Sequence, residues 1–273
     1  RPCSNPSVSG LNPPPDSDSH PICDGTDLLR RVCLIQTRKV DSMNLLKHLR
    51  SHIQPAVQKP LLFVHTPKCG GKFVERAFGQ QIKKSISLCH PDLRGHLFWS
   101  EYKRRLDQLN TPIEDFLTFA VVRNPFVWRV SFFTYIQQDI GGRKTNLAHL
   151  NALFNKMTFS NYVDWLCDPA TPTTQDFRPH AQVSDWIVDQ NGAVAVNYLL
   201  RQERLVDDLK EMSALTGVAI KIPSKKINVS NDRPWYSFYK DTDVDKIAAL
   251  HSRDIELFGY SFADGSPVKQ QRP

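Results

Sequence analysis

One segment constrains this chain more than any other. A four-residue apolar run, Leu61-Leu62-Phe63-Val64, leads through His65 straight into Thr66-Pro67-Lys68-Cys69-Gly70-Gly71-Lys72. An uninterrupted apolar run of that length suits a strand buried on both faces. The proline and the paired glycines then impose a turn. Apolar residues return at helical spacing from Phe73 to Ile82, which predicts a helix. A buried strand, a glycine turn and a helix in that order imply a parallel sheet with helices packed on it.

The pattern recurs. Phe116 to Val122 reads as a second buried strand, followed by Arg123-Asn124-Pro125 and an aromatic helix through Ile136. Proline suits the first turn of a helix, where its missing N–H costs nothing. Further helices are predicted at Trp99–Leu109, Phe159–Cys167, Glu203–Thr216 and Val244–Phe258, with a short strand at Ser85–Cys89. The expected fold class is α/β, a P-loop-like three-layer fold with a central parallel sheet flanked by helices. No internal repeat is visible.

Organisation follows from composition. Residues 1–24 hold six prolines among Ser, Asn and Asp, the make-up of a disordered tail or stem. Residues 25–60 carry apolar positions (Leu28, Val32, Ile35, Leu45, Leu46, Leu49) that predict a helical extension. The domain is expected over residues 61–264, with a short tail at 265–273. A hydrophobic share of 40% is enough to fill its core. The longest uncharged apolar runs are four or five residues, too short for a transmembrane helix. No signal leader opens the chain, and its start at Arg1 suggests that an upstream segment is missing. The six cysteines form no CxxC pair and no zinc spacing with histidine. Both a disulfide-bearing secretory protein and a reduced cytosolic one fit them. The net charge of +7 favours an anionic ligand or partner.

Two places carry chemistry. In the Thr66–Lys72 turn, adjacent glycines let the backbone wrap a ligand, while successive N–H groups and a helix N-terminus point at one spot. Lys68 adds a mobile positive charge. This is not a nucleotide-triphosphate loop, because Phe73 stands where that pattern needs a magnesium-binding hydroxyl. The alternative is a plain glycine turn. Arg123 leaves its strand at the C-terminal end, where open parallel sheets bind ligands, and Ser131 follows eight residues later. Arginine with a hydroxyl suits a phosphate that is held rather than transferred. The alternative is an arginine paired with a local carboxylate.

Together the two segments, TPKCGGKF and FAVVRNPF…S, resemble the sulfotransferases that use 3′-phosphoadenosine 5′-phosphosulfate. The likeness is greatest to the carbohydrate branch with heparan 2-O- and chondroitin sulfotransferases. HLFWSEYKRRL, FSNYVDWL, VSDWIVDQNG, LLRQERLVDDLKEM, KKINVS and RDIELFGYSF follow in the family's order, covering roughly residues 61–262. The resemblance implies that Lys68, Cys69, Gly70, Gly71, Lys72 and Phe73 surround the 5′-phosphosulfate. Lys68 would neutralise the bridging oxygen, and Arg123 with Ser131 would hold the 3′-phosphate. Lys225, Lys226 and Asn228 would close over the nucleotide. Lys72 departs from the family, which has a hydroxyl there; it either replaces that hydroxyl as a point charge or faces solvent.

A general base is also needed, and histidine suits neutral pH. His96 falls in the family's histidine-bearing segment, with His90 as second candidate. Glu101 either orients His96 or is simply solvated. The acceptor is a hydroxyl, expected on a carbohydrate and especially an acidic glycan, with small-molecule alcohols the alternative. Trp165, Trp186, Trp235, Tyr236, Phe238 and Tyr239 are either stacking faces for it or core aromatics. No metal and no nucleic acid are expected. Asn228-Val229-Ser230, a glycosylation pattern in the nucleotide loop, is expected to be unmodified. A Golgi lumenal enzyme and a cytoplasmic one are the two compartment readings. An atypical small-molecule kinase and a non-catalytic polyanion binder are the rival functions.

Overall fold

The computed structural model describes residues 59–79, 91–138, 148–173, 177–224 and 233–263. All of them belong to the unit Gln54–Pro273. The expectations for residues 1–58, the strand at Ser85–Cys89, His90, Lys225, Lys226, Asn228 and the tail at 265–273 lie outside the described residues.

Three strands form one parallel sheet in the order β1-β2-β3: β1 (Leu61–Val64), β2 (Leu117–Val122) and β3 (Tyr198–Arg201). Phe63 pairs with Phe119, and Val122 pairs with Arg201. Every residue of β1 is buried, as its apolar run predicts. β3 was not foreseen as a strand. Only Leu200 of its four residues is buried, so no apolar run marks it. Its approach is set by a side-chain lock: Thr118 donates its hydroxyl and its N–H to Asn197 Oδ1, at 2.9 and 2.8 Å.

Between β1 and β2 lie α1 (Gly71–Phe78) and α2 (Trp99–Gln108). Between β2 and β3 lie α3 (Pro125–Gln137), α4 (Ala148–Phe154) and α5 (Phe159–Cys167). After β3 come α6 (Leu205–Thr216), α7 (Asp241–Leu250) and α8 (Ser252–Phe258). The α/β expectation, a parallel sheet flanked by helices, is met. Several helix boundaries differ. The helix expected over Phe73–Ile82 ends at Phe78, because Gly79 takes φ +52° and breaks the spiral. The helix expected from Glu203 begins at Leu205, after a 3₁₀ turn over Gln202–Arg204. The single helix expected over Val244–Phe258 is two, α7 and α8, divided at His251. Buried His251 is drawn into a polar network described below, which sets the backbone at this break.

Helix α3 explains its own aromatic sequence. It lies between two apolar clusters and is buried around most of its circumference. Trp128 joins the cluster beneath the sheet, while Phe126, Val130 and Phe133 join a second one with Phe154, Phe159 and Tyr162.

Candidate active site

The loop after β1 is held from below. Thr66 donates its hydroxyl to the Val121 carbonyl of the neighbouring strand. Trp128 donates its indole N–H to the Pro67 carbonyl at 2.7 Å, and Arg123 donates Nη1 to the Lys68 carbonyl at 2.9 Å. Lys68 itself adopts φ +59° and Gly70 φ +89°. Gly70 then accepts the N–H groups of Phe73 and Val74 and starts α1. Above this point, the backbone N–H groups of Lys68, Cys69, Gly70, Gly71 and Lys72 make no hydrogen bond among the described residues. Five successive open donors at a helix N-terminus are an arrangement suited to an anion.

The other loop residues divide by role. Cys69 is fully buried and donates to the Pro67 carbonyl at 3.3 Å. Burial pushes its thiol up to about 12, so it is unreactive at neutral pH. Phe73 packs on the core. Lys72 has a side chain 68% exposed, facing Glu75 at 3.5 Å across one turn. Without ligand its ammonium thus lies at the surface beside Glu75.

Lys68 is half-buried, with its ammonium 3.9 Å from the centre of the Tyr135 ring. Burial first, and the nearby Arg123 second, lower its pKa to about 8. Arg123 lies behind the loop, where burial lowers its pKa against the opposing pull of Cys69 and Glu203. Its Nε is buried with no partner. The turn that carries it is fixed by Asn124, whose side chain accepts from Phe126 N at 3.0 Å and donates to Ser261 O at 2.9 Å. Glu203, just past β3, accepts the Asn124 N–H at 2.7 Å and the Tyr260 hydroxyl at 3.0 Å. Ser131 is buried on α3 one turn from Trp128 and one from Tyr135, both of which touch the loop. Residues three and four apart share a helix face, so Ser131 lies on the side of α3 that meets the loop. Its hydroxyl makes no hydrogen bond among the described residues.

His96 stands beside the same loop. Its Nδ1 lies 2.8 Å from the His65 carbonyl, and the two rings meet edge to face at 4.4 Å. A carbonyl only accepts, so Nδ1 carries the proton and Nε2 keeps its lone pair. His96 keeps an exposed side. Even so, partial loss of water lowers its pKa, against the His65 hydrogen bond and Glu75, and Lys68 lowers it further. Glu101 does not orient it: its carboxylate accepts the Phe98 N–H at 2.8 Å and caps α2.

Four contributors were not singled out from the sequence: His65, Trp128, Tyr135 and Glu203. His65 carries a signal in its place next to the glycine turn. The others act from helices or beyond a strand and read as ordinary core or surface residues.

Tyr239 and Trp235 pack with Phe126 and Phe262, and Trp165 packs with Phe154 and Phe177, so these rings serve the second cluster. Among the described residues no group of His, Cys, Asp and Glu could hold a metal ion, and no helix is long and apolar enough to cross a membrane.

The open N–H donors lie at the strand ends of a parallel α/β sheet, where such sheets bind ligands. Residues 51–261 match the model of the Sulfotransferase family, and the chain belongs to that family. It is a transferase of sulfur-containing groups, in a family that generally draws on 3′-phosphoadenosine 5′-phosphosulfate and acts on hydroxyl acceptors. No curated protein and no solved structure matches the chain.

Proposed function

We propose that this enzyme moves the sulfuryl group of 3′-phosphoadenosine 5′-phosphosulfate onto a carbohydrate hydroxyl. The observation that carries the reading is the row of five open N–H groups from Lys68 to Lys72, with the orphaned Nε of Arg123 behind it. These donors fit a ligand with two separate anionic groups. When bound, the donor supplies an activated sulfuryl group. The loop N–H groups hold the 5′ end, and Arg123 with Ser131 holds the 3′-phosphate. Arginine's fork is pre-organised for such a dianion. Lys68 leaves the face of Tyr135 and neutralises charge on the bridging oxygen. His96 Nε2 accepts the acceptor's proton as the new oxygen–sulfur bond forms. Positioning and charge compensation supply most of the rate, as in phosphoryl transfer. Lys226 and Asn228 are assigned to the nucleotide from the family resemblance alone.

An acidic sugar is favoured as acceptor by Arg178. Its guanidinium lies 4.0 Å over the ring of Phe98, two residues from His96, and forms no ion pair among the described residues. A stacked guanidinium keeps its edge free for a carboxylate or sulfate. The proline-rich residues 1–24 and this acceptor class together favour the Golgi lumen.

Calorimetric titration with 3′-phosphoadenosine 5′-phosphate, AMP and ATP tests the donor. Binding that needs both the 3′-phosphate and Arg123 is expected. Equal or tighter binding of ATP would favour a kinase, and no nucleotide binding would leave a polyanion binder.

A further inference from the structure

The geometry points to Trp128 as the positioning residue that turns the anion-binding loop outward, an inference that rests on the donor reading above. A trans peptide is planar, so a carbonyl and the N–H that follows it point in opposite directions. The Pro67 carbonyl is drawn down onto Trp128 Nε1 at 2.7 Å, which aims the Lys68 N–H away from the core. The Lys68 carbonyl is drawn onto Arg123 Nη1 at 2.9 Å, which aims the Cys69 N–H the same way. Two side chains from the start of one helix and its preceding turn thus set two consecutive peptides. Between them sits Lys68 at φ +59°, a conformation that a lysine adopts only when its surroundings impose it.

Arg123 is also assigned to the ligand, whereas Trp128 is not. It is 1% exposed, and the hydrogen bond of its indole goes to the loop. The indole is held from behind. Arg129 lies 4.6 Å from its ring, and the His251 ring meets it edge-on at 5.5 Å. Arg129 donates to His251 Nε2 at 2.7 Å and to the carbonyls of Pro179 and Ala181 at 2.8 and 2.9 Å. His251 in turn donates Nδ1–H to Asp254 at 3.1 Å, and Asp254 accepts the N–H groups of Val183 and Ser184. This buried network touches no part of the loop itself, and it fixes the ring that does. If the indole N–H is removed, the Pro67 carbonyl keeps only the weak thiol donor of Cys69.

Trp128→Phe keeps an aromatic ring and deletes the N–H. Its test is titration with 3′-phosphoadenosine 5′-phosphate, which engages the loop, and with adenosine 3′-phosphate, which does not. The variant is expected to weaken the bisphosphate by about fivefold to tenfold and leave the 3′-monophosphate unchanged. Unchanged affinity for both ligands, or equal weakening of both, overturns the inference. Failure of the wild type to bind the bisphosphate sinks the donor reading instead. Should Trp128→Phe not fold, amide exchange of the wild type decides. The Lys68 and Cys69 amides are expected to exchange freely without ligand and to become protected with it. Protection in the ligand-free protein overturns the inference.

Discussion

The imidazole of His65 fills the space that a side chain at residue 71 would need. A Cβ built on Gly71 would fall 1.8 Å from His65 Nε2, inside any tolerable contact. The same His65 offers its carbonyl to His96 and its ring face to Phe63, with ring centres 5.1 Å apart. One histidine therefore links the glycine of the anion loop to the candidate base.

Gly71→Ala is expected to lower stability by about 1–3 kcal/mol, the usual range for overpacking, and to disturb His96 as His65 is displaced. The double variant Gly71→Ala, His65→Ala removes the collision. Thermal denaturation should show it more stable than Gly71→Ala alone. Equal or greater loss in the double variant would mean that the contact is not what requires glycine.

Arg123→Ala is expected to remove discrimination for the 3′-phosphate, with a loss of about 10- to 100-fold in affinity for the bisphosphate. Arg123→Lys should not restore it, because an ammonium cannot reproduce the fork that holds the Lys68 carbonyl and a phosphate together. Competition between 3′,5′- and 5′-phosphorylated adenosines reads the difference directly.

His96→Gln is expected to reduce kcat by about 10²–10⁴-fold, with bisphosphate affinity little changed. Retention of full turnover would remove His96 from the chemistry.

The pH profile follows from two groups. His96 has a lowered pKa, so its basic form is already present below pH 6.5, and activity should rise through a limb beneath that value. Lys68 is lowered to about 8 and is charged only below that pH in the free enzyme. Donor affinity should hold from neutrality to about 8 and fall as pH rises further. Bound anion favours the ammonium, so binding near pH 8 should take up a proton, measurable by calorimetry in buffers of different ionisation enthalpy.

Stability in acid is governed elsewhere. His251 is buried and neutral, its pKa lowered to about 4 first by burial and then by Arg129. The unfolded chain binds its proton near pH 6.5, and the folded chain does not until pH 4. Stability is therefore full above 6.5 and declines as pH falls between those values, at about 1.4 kcal/mol for each pKa unit of depression. His65, lowered to about 3 mainly by burial, adds in the same direction. Denaturant titrations from pH 7 to 5 should show this decline, and His251→Gln should flatten it.

The α/β class and the strand–turn–helix that carries the candidate anion loop were legible because they rest on local order: an apolar run buried on both faces, two glycines, a following helix. Arg123 was legible for the same reason, at the end of the second run. β3 was not, because three of its four residues are not fully buried and its place depends on Thr118 meeting Asn197. The break at His251 was hidden too, since helical spacing continues across it, and only Arg129 and Asp254, packed around it, account for the interruption. The division of labour at the site is tertiary in the same sense. Sequence placed Lys72 in the loop, and the fold set its ammonium beside Glu75. Glu101 stood close to His96 along the chain, and its carboxylate went to the helix cap. Trp128 was not singled out within its aromatic helix, and its N–H reached a loop 61 residues back. Periodicity records which side of an element meets the core. It carries no record of which buried donor meets which carbonyl, because those pairs form only when distant segments close on one another.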